Sequence, residues 1–294
     1  MKGDSSPASR RNHSEGWKHA KKDGHLNEEE LSVRLSTDLT LANYLSFQCF
    51  SKQLGLPERV SGGGASASHV SDVFGGRTNG KPDLEVSWGS GNTVRISVKK
   101  SRSGQVFLTS VDRFTDGFRI HYGQRVPAEV ERCLSLFIGG DEETVRMAMR
   151  GRRLLGPVHR RTGVLLEEHQ IRLVAKTLET YFRDDWHATI AWFGANIASI
   201  ADFAFSRGYA KASADFATHL WYVKAAGYSK DSLLSPIQNL TSACSRHSDM
   251  VSTGRKNGGT TIQLPFGFLQ MHSPKAENLM QFHHSRAKIS AILK

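Results

Sequence analysis

Between Asp83 and Lys99 the chain reads D-L-E-V-S-W, then a Gly/Ser/Asn turn, then T-V-R-I-S-V-K. Side chains alternate along a strand, so the two runs sort onto faces. Leu84, Val86 and Trp88 share one side with Val94, Ile96 and Val98. Asp83, Glu85 and Ser87 share the other with Arg95, Ser97 and Lys99. This pattern demands a hairpin with one side in a core and the other gathering carboxylates, a hydroxyl and a lysine. With Ser90-Gly91-Asn92 as the loop, Asp83 falls opposite Lys99, and Glu85 opposite Ser97.

Around the hairpin the chain alternates helical and strand signals. Met1 to about Gly24 is polar and basic, with almost nothing to bury, and reads as a mobile arm. Asn27 and Glu30 match the N-cap and N3 positions of a capping box, so a helix is expected to start there. Leu31, Leu35 and Leu39 then recur every four residues as an inward stripe, and Glu28 lies on that stripe. A second helix is expected over Leu41 to Leu54. The Gly-rich stretch from Ser61 to Ser68 lacks the Gly-Lys-Ser/Thr ending of a phosphate loop and reads as a linker or flap. Val106 to Leu108 reads as a third strand, and Ala128 to Met149 and Val164 to Phe182 as helices. Periodicity does not decide between helix and strand over Trp186 to Ala225. Gly258 to Met271 reads as strand, turn, strand; Leu279 to His283 as a strand; and Ser285 to Leu293 as a closing helix.

Composition bounds the partners. The formal net charge is +11 and the pI about 9.7, a balance that favours polyanions such as DNA, RNA or an acidic surface. Cys49, Cys133 and Cys244 form no Cys-x-x-Cys pair, so neither a disulfide framework nor a zinc knuckle is indicated. No apolar run reaches membrane-spanning length and the N-terminus has no hydrophobic signal core. A cytoplasmic protein without a membrane partner is expected.

The polar face of the hairpin suits Mg²⁺, which takes hard oxygen ligands from one or two carboxylates and completes its shell with water. A lysine beside it can orient or deprotonate a nucleophile and offset charge at a phosphorus centre. The plainer reading is a solvated hairpin with a weakly stabilising Lys–Asp cross-strand pair. Spacing alone leaves both open.

Pro82-Asp83, the short hairpin and the strand ending in Ser97-Val98-Lys99 resemble the PD-(D/E)XK nuclease motif. The wording "GKPDLEV" and "ISVKKSRSGQVFLTSVDRF", with the ending "LPFGFLQMHS…MQFHHSRAKISAIL", is similar to type II restriction endonucleases. The resemblance implies an α/β fold: a restriction-endonuclease-like core in which helices flank a mixed central sheet. It assigns Asp83 as metal-binding acid, Lys99 as the lysine, and Val98 as donor of a backbone carbonyl to the metal. Ser97 departs from the family's usual Asp or Glu. Glu28 is the first choice for the missing ligand, Glu85 the second and Asp112 the third. The implied activity is Mg²⁺-dependent site-specific cleavage of double-stranded DNA by a homodimer, with a cognate DNA methyltransferase as companion.

Residues 25–125 would form the nuclease core, and 126–294 would complete the fold and contribute recognition. Ser97, Lys100 and Gln105, with Arg152, Arg153, Arg160 and Arg161 of the arginine-rich connection, are candidate DNA contacts. His283-His284 lacks the downstream residues of an HNH site and reads as a strand end. Two rivals are a structure- or damage-directed repair nuclease on the same core, and a basic DNA-binding protein without chemistry.

Overall fold

A computed structural model describes residues 26–62, 69–89, 91–139, 141–150, 171–224, 232–255, 258–271 and 278–294. The first helix, α1 (residues 26–37), is already helical at residue 26. Asn27 is therefore not its cap; it is buried at 4% exposure, one turn before Leu31. The leucine stripe stops at Asp38, whose carboxylate accepts from the backbone N–H groups of Thr40 and Leu41, both at 3.0 Å. That cap starts α2 (Leu39–Phe50), a helix shorter than expected, and leaves Leu39 53% exposed instead of in the stripe.

Short strands β1 (Arg59–Gly62), β2 (His69–Ser71) and β3 (Arg77–Asn79) lead into the hairpin of β4 (Leu84–Trp88) and β5 (Asn92–Lys99). Its faces are those expected, but its register is not. Leu84 pairs with Ile96, and Trp88 with Asn92. The connection between the strands includes Gly91 at φ +82°, a left-handed conformation open to glycine. Asn92 joins the strand, and every pair moves by two residues, which keeps each side chain on its face.

Further on come β6 (Ser103–Thr109), longer than expected, and α3 (Val111–Tyr122). The helix expected from Ala128 to Met149 is two, α4 (Ala128–Ile138) and α5 (Glu142–Met149). They part at Gly139, which has φ +111° and whose added Cβ would lie 2.3 Å from the Ile171 carbonyl oxygen. Residues 164–170 of the expected 164–182 helix lie outside the described residues; residues 171–174 are not helical, with the Leu173 N–H donating to the Leu136 carbonyl at 2.9 Å, and α6 (Ala175–Tyr181) is the helical part. The undecided stretch is α7 (Arg183–Ala195), α8 (Ile197–Asp202), a π-helical turn over Phe203–Arg207, and then β7 (His219–Tyr222). The chain ends through β8 (Leu233–Pro236), α9 (Ile237–Arg246), β9 (Ser252–Thr253), β10 (Thr261–Leu264), β11 (Gly267–Met271), β12 (Met280–Ser285) and α10 (Arg286–Ile292).

The protein is mixed α/β. One five-stranded sheet runs β1-β4-β5-β7-β8, with β5 and β7 parallel; a second runs β6-β12-β11-β10-β9. Leu31, Leu35, Leu41 and Leu45 of α1 and α2 cover the apolar face of the hairpin in one cluster with Val86, Ile96 and Trp221. A larger cluster joins the helices from α3 onward to the second sheet through Phe114, Phe193, Phe203 and Phe282. Leu220 and Tyr222 of β7 also belong to it. Tyr222 pairs with Lys99 in register, so the polar face of the hairpin opens toward the margin of this second cluster.

Candidate active site

Asp83 lies just before β4, and its backbone N–H donates to the Ile96 carbonyl at 2.8 Å. That bond fixes the carboxylate against the end of β5. Oδ2 of Asp83 accepts from the Val98 backbone N–H at 2.6 Å and from Ser97 Oγ at 3.4 Å, and lies 3.5 Å from Lys99 Nζ. Lys99 Nζ also donates to Ser97 Oγ at 2.8 Å and to the Val98 carbonyl at 2.9 Å. Ser97 is 3% exposed, and the Asp83 and Lys99 side chains keep 29% and 17% of their surface. A carboxylate, a carbonyl, a hydroxyl and an ammonium thus meet at one partly open point.

The surroundings add groups that the hairpin alone did not reveal. Lys81 Nζ donates to the carbonyls of Ala204 at 2.7 Å and Val106 at 3.3 Å, and lies 4.2 Å from the Phe107 ring centre. Burial, and then the Lys99 charge, push Lys81 down to about 7 against the pull of Asp83. It ties the approach to Asp83 to β6 and to the π-helical turn. Beside Lys99, the Tyr222 hydroxyl meets His284 Nδ1 at 2.8 Å. Burial raises the Tyr222 phenol, which therefore donates to a neutral imidazole. Burial, then Lys99 and His283, push His284 down to about 3. Lys81 had a local signal, its place in Gly-Lys-Pro-Asp. Tyr222 and His284 had none, because each reaches the site through a pairing distant in sequence.

The other expected residues sit on several elements. Glu85 shares the polar side with Asp83 but stands opposite Arg95, whose Nε donates to the Phe216 carbonyl at 2.9 Å. Glu28, half-buried, rises from α1, the helix whose leucines cover the opposite, apolar side. Asp112 is exposed in the first turn of α3, where a carboxylate suits the positive helix end. Lys100 is exposed just past β5, and Gln105 on β6 accepts from Gln281 at 2.7 Å. Arg152, Arg153, Arg160 and Arg161 lie outside the described residues.

Among the described residues no three His, Cys, Asp or Glu side chains cluster as a metal cage. Mg²⁺ does not require one, since it keeps several waters and is commonly held by one or two carboxylates plus phosphate oxygens. The second oxygen of Asp83 and the Val98 carbonyl fit that lean donor set.

No protein-family profile matches this sequence, and no curated protein does. Among solved structures the chain is similar to the restriction endonuclease MspI in complex with its cognate DNA, at a TM-score of 0.45 and 10% identity, over 91% of this chain and 87% of that one.

Proposed function

We propose that this protein is a Mg²⁺-dependent type II restriction endonuclease that cuts double-stranded DNA from a PD-(D/E)XK-like core. The convergence of Asp83, Val98 and Lys99 carries the reading: the Val98 N–H holds the carboxylate at 2.6 Å while Lys99 stands 3.5 Å from the same oxygen. A surface Lys–Asp pair needs neither a buried serine nor a backbone clamp. Residues 25–125 form the nuclease core, and 126–294 complete its sheet through β7 and supply DNA contacts.

Asp83 and the Val98 carbonyl would hold the metal, with Glu28 or Glu85 as a further acid. When bound, the ion acidifies a water and offsets phosphate charge. Lys99 orients the attacking water and stabilises the charge that builds on phosphorus. Water oxygen bonds to phosphorus as the bond to the 3′ oxygen breaks, leaving a 5′-phosphate and a 3′-hydroxyl. Ser97 holds the lysine in line. The protein is proposed to act in the cytoplasm as a homodimer, since a palindrome presents both strands symmetrically, and alongside a methyltransferase that protects its sites.

The test is incubation of purified protein with phage DNA, with Mg²⁺ or with EDTA. Discrete fragments are expected only with Mg²⁺. Asp83→Ala and Lys99→Ala are each expected to lower the rate by roughly 10²- to 10³-fold or more. Glu28→Ala and Glu85→Ala identify the further acid: the one whose loss raises the Mg²⁺ requirement is the ligand. Activity that survives loss of both Asp83 and Lys99 removes the hairpin from the mechanism.

A further inference from the structure

The outward face of the second sheet carries a hydrogen-bonded chain of amides that runs across two register rows. Cross-strand register aligns Gln281 with Gln270 and Gln270 with Thr261; a neighbouring row aligns Gln105 with His283, His283 with Phe268, and Phe268 with Gln263. None of these positions holds a carboxylate. Sheet faces in contact with water ordinarily carry charges of both signs; here the Lys288 ammonium is bound to Gln263 Oε1 at 3.0 Å, and these rows otherwise hold amides, a threonine, a leucine, a histidine and a phenylalanine, which calls for an explanation. These side chains are half-exposed, and Gln105 is exposed.

The amides also orient one another. Gln281 Nε2 donates to Gln105 Oε1 at 2.7 Å, and Gln270 Nε2 donates to Gln281 Oε1 at 3.1 Å. Gln270 Nε2 also meets His283 Nε2 at 3.0 Å. The Phe268 ring stacks on His283 at 4.4 Å between centres and 13° between planes, which stops the imidazole from turning. Within this network the Gln270 oxygen remains as an acceptor and the Gln105 amide nitrogen as a donor. Each therefore presents a fixed polarity before any partner arrives.

Cations separate this row from Asp83 and Lys99. The Arg286 backbone N–H donates to the Arg102 carbonyl at 2.8 Å, which brings the two arginines together where β6 and β12 meet their neighbours. The Arg286 guanidinium lies 5.9 Å from the Tyr222 ring centre, and Tyr222 is the register partner of Lys99. Lys100, two residues before Arg102 in the chain, is exposed. At the other end, the Val106 carbonyl that receives Lys81 adjoins Gln105. The row and the candidate site lie on opposite sides of β12, with His283 outward and His284 inward against Tyr222, and Arg286, just past the end of that strand, reaches the Tyr222 ring.

We infer that the Gln105–Gln281–Gln270 row reads base edges of double-stranded DNA while Arg102, Arg286 and Lys100 hold the phosphates that lead to Asp83. A free amide oxygen can accept from the amino group of adenine or cytosine, a free amide nitrogen can donate to a purine N7 or a base carbonyl, and the neutrality of both spares them from capture by phosphate. This inference rests on DNA as the substrate proposed above.

The test needs no cleavage. The wild-type chain and its Gln270→Leu, Gln281→Leu and Gln105→Leu variants are incubated in EDTA with a pool of random-sequence duplexes, and the retained DNA is sequenced. The wild type is expected to enrich one motif. Each variant is expected to relax that motif at a base position, with about a tenfold loss of preference there, and to keep the salt dependence of binding. Gln105 is the exposed end of the row, so its variant tests the inference even if a change at Gln270 disturbs the fold. An unchanged motif in all three variants overturns the inference, as does the absence of any motif in the wild type. Phage-DNA cleavage is measured in parallel. Motif selection without cleavage removes the nuclease reading and leaves this one; cleavage with an unchanged motif does the reverse.

Discussion

At the scale of single residues, the site is a carboxylate held by a backbone N–H and an ammonium held by a hydroxyl and a carbonyl. Alternation alone placed Asp83, Ser97 and Lys99 on one face, because their partners lie within a single hairpin. His284 was beyond such reasoning. Its burial depends on β12 lying beside β6 and on a tyrosine far away in the chain. That burial has a pH signature. The unfolded chain takes up a proton near pH 6.5, whereas folded His284 resists until about 3, so the unfolded state binds more protons between those values. Stability is therefore full above about pH 6.5 and is lost as pH falls toward 3, by on the order of 4 kcal/mol from this residue. Urea melts from pH 7 to pH 4 are expected to show a shallower loss for His284→Asn, whose amide oxygen can still accept from Tyr222. Equal slopes for the two proteins would place the acid sensitivity elsewhere.

Among the elements, the hairpin shows how far a pattern reaches. Its faces were legible, its register was not. The period of two fixes which side a residue takes, but the pairing depends on where the turn ends, and with Gly91 left-handed Asn92 already pairs with Trp88. The leucine stripe failed for a comparable reason: the Asp38 carboxylate starts a new helix inside an unbroken apolar repeat. Gly62 makes a testable case at this scale. It has φ +91°, and a Cβ added there would lie 2.6 Å from the Asp83 carbonyl oxygen. Gly62→Ala therefore has to strain its own backbone or push Asp83. It is expected to destabilise the fold by about 1–2 kcal/mol and to slow DNA cleavage by roughly tenfold or more. Melting and cleavage rates measured together check this; a variant with wild-type activity would show that β1 does not position Asp83.

For the whole molecule, composition pointed to a polyanionic partner, and the α/β character was legible from alternating helix and strand signals. The division into two sheets was not, since nothing local tells β6 to leave β5 and join β12. Sedimentation at micromolar concentration is expected to return about twice the 32.6 kDa chain mass, with or without DNA. A monomer under both conditions would remove the homodimer from the proposed mechanism. The parallel partner of β5 lies in His219–Tyr222, and β12 follows nearer the end of the chain. During synthesis Lys99 therefore emerges long before the strand that flanks it, and the edge of β5 waits unpaired. A ribosome-bound first half thus has the hairpin but not the support on which it acts. For the proposed nuclease, the order of the strands withholds the assembled site until β7 and β12 have been made.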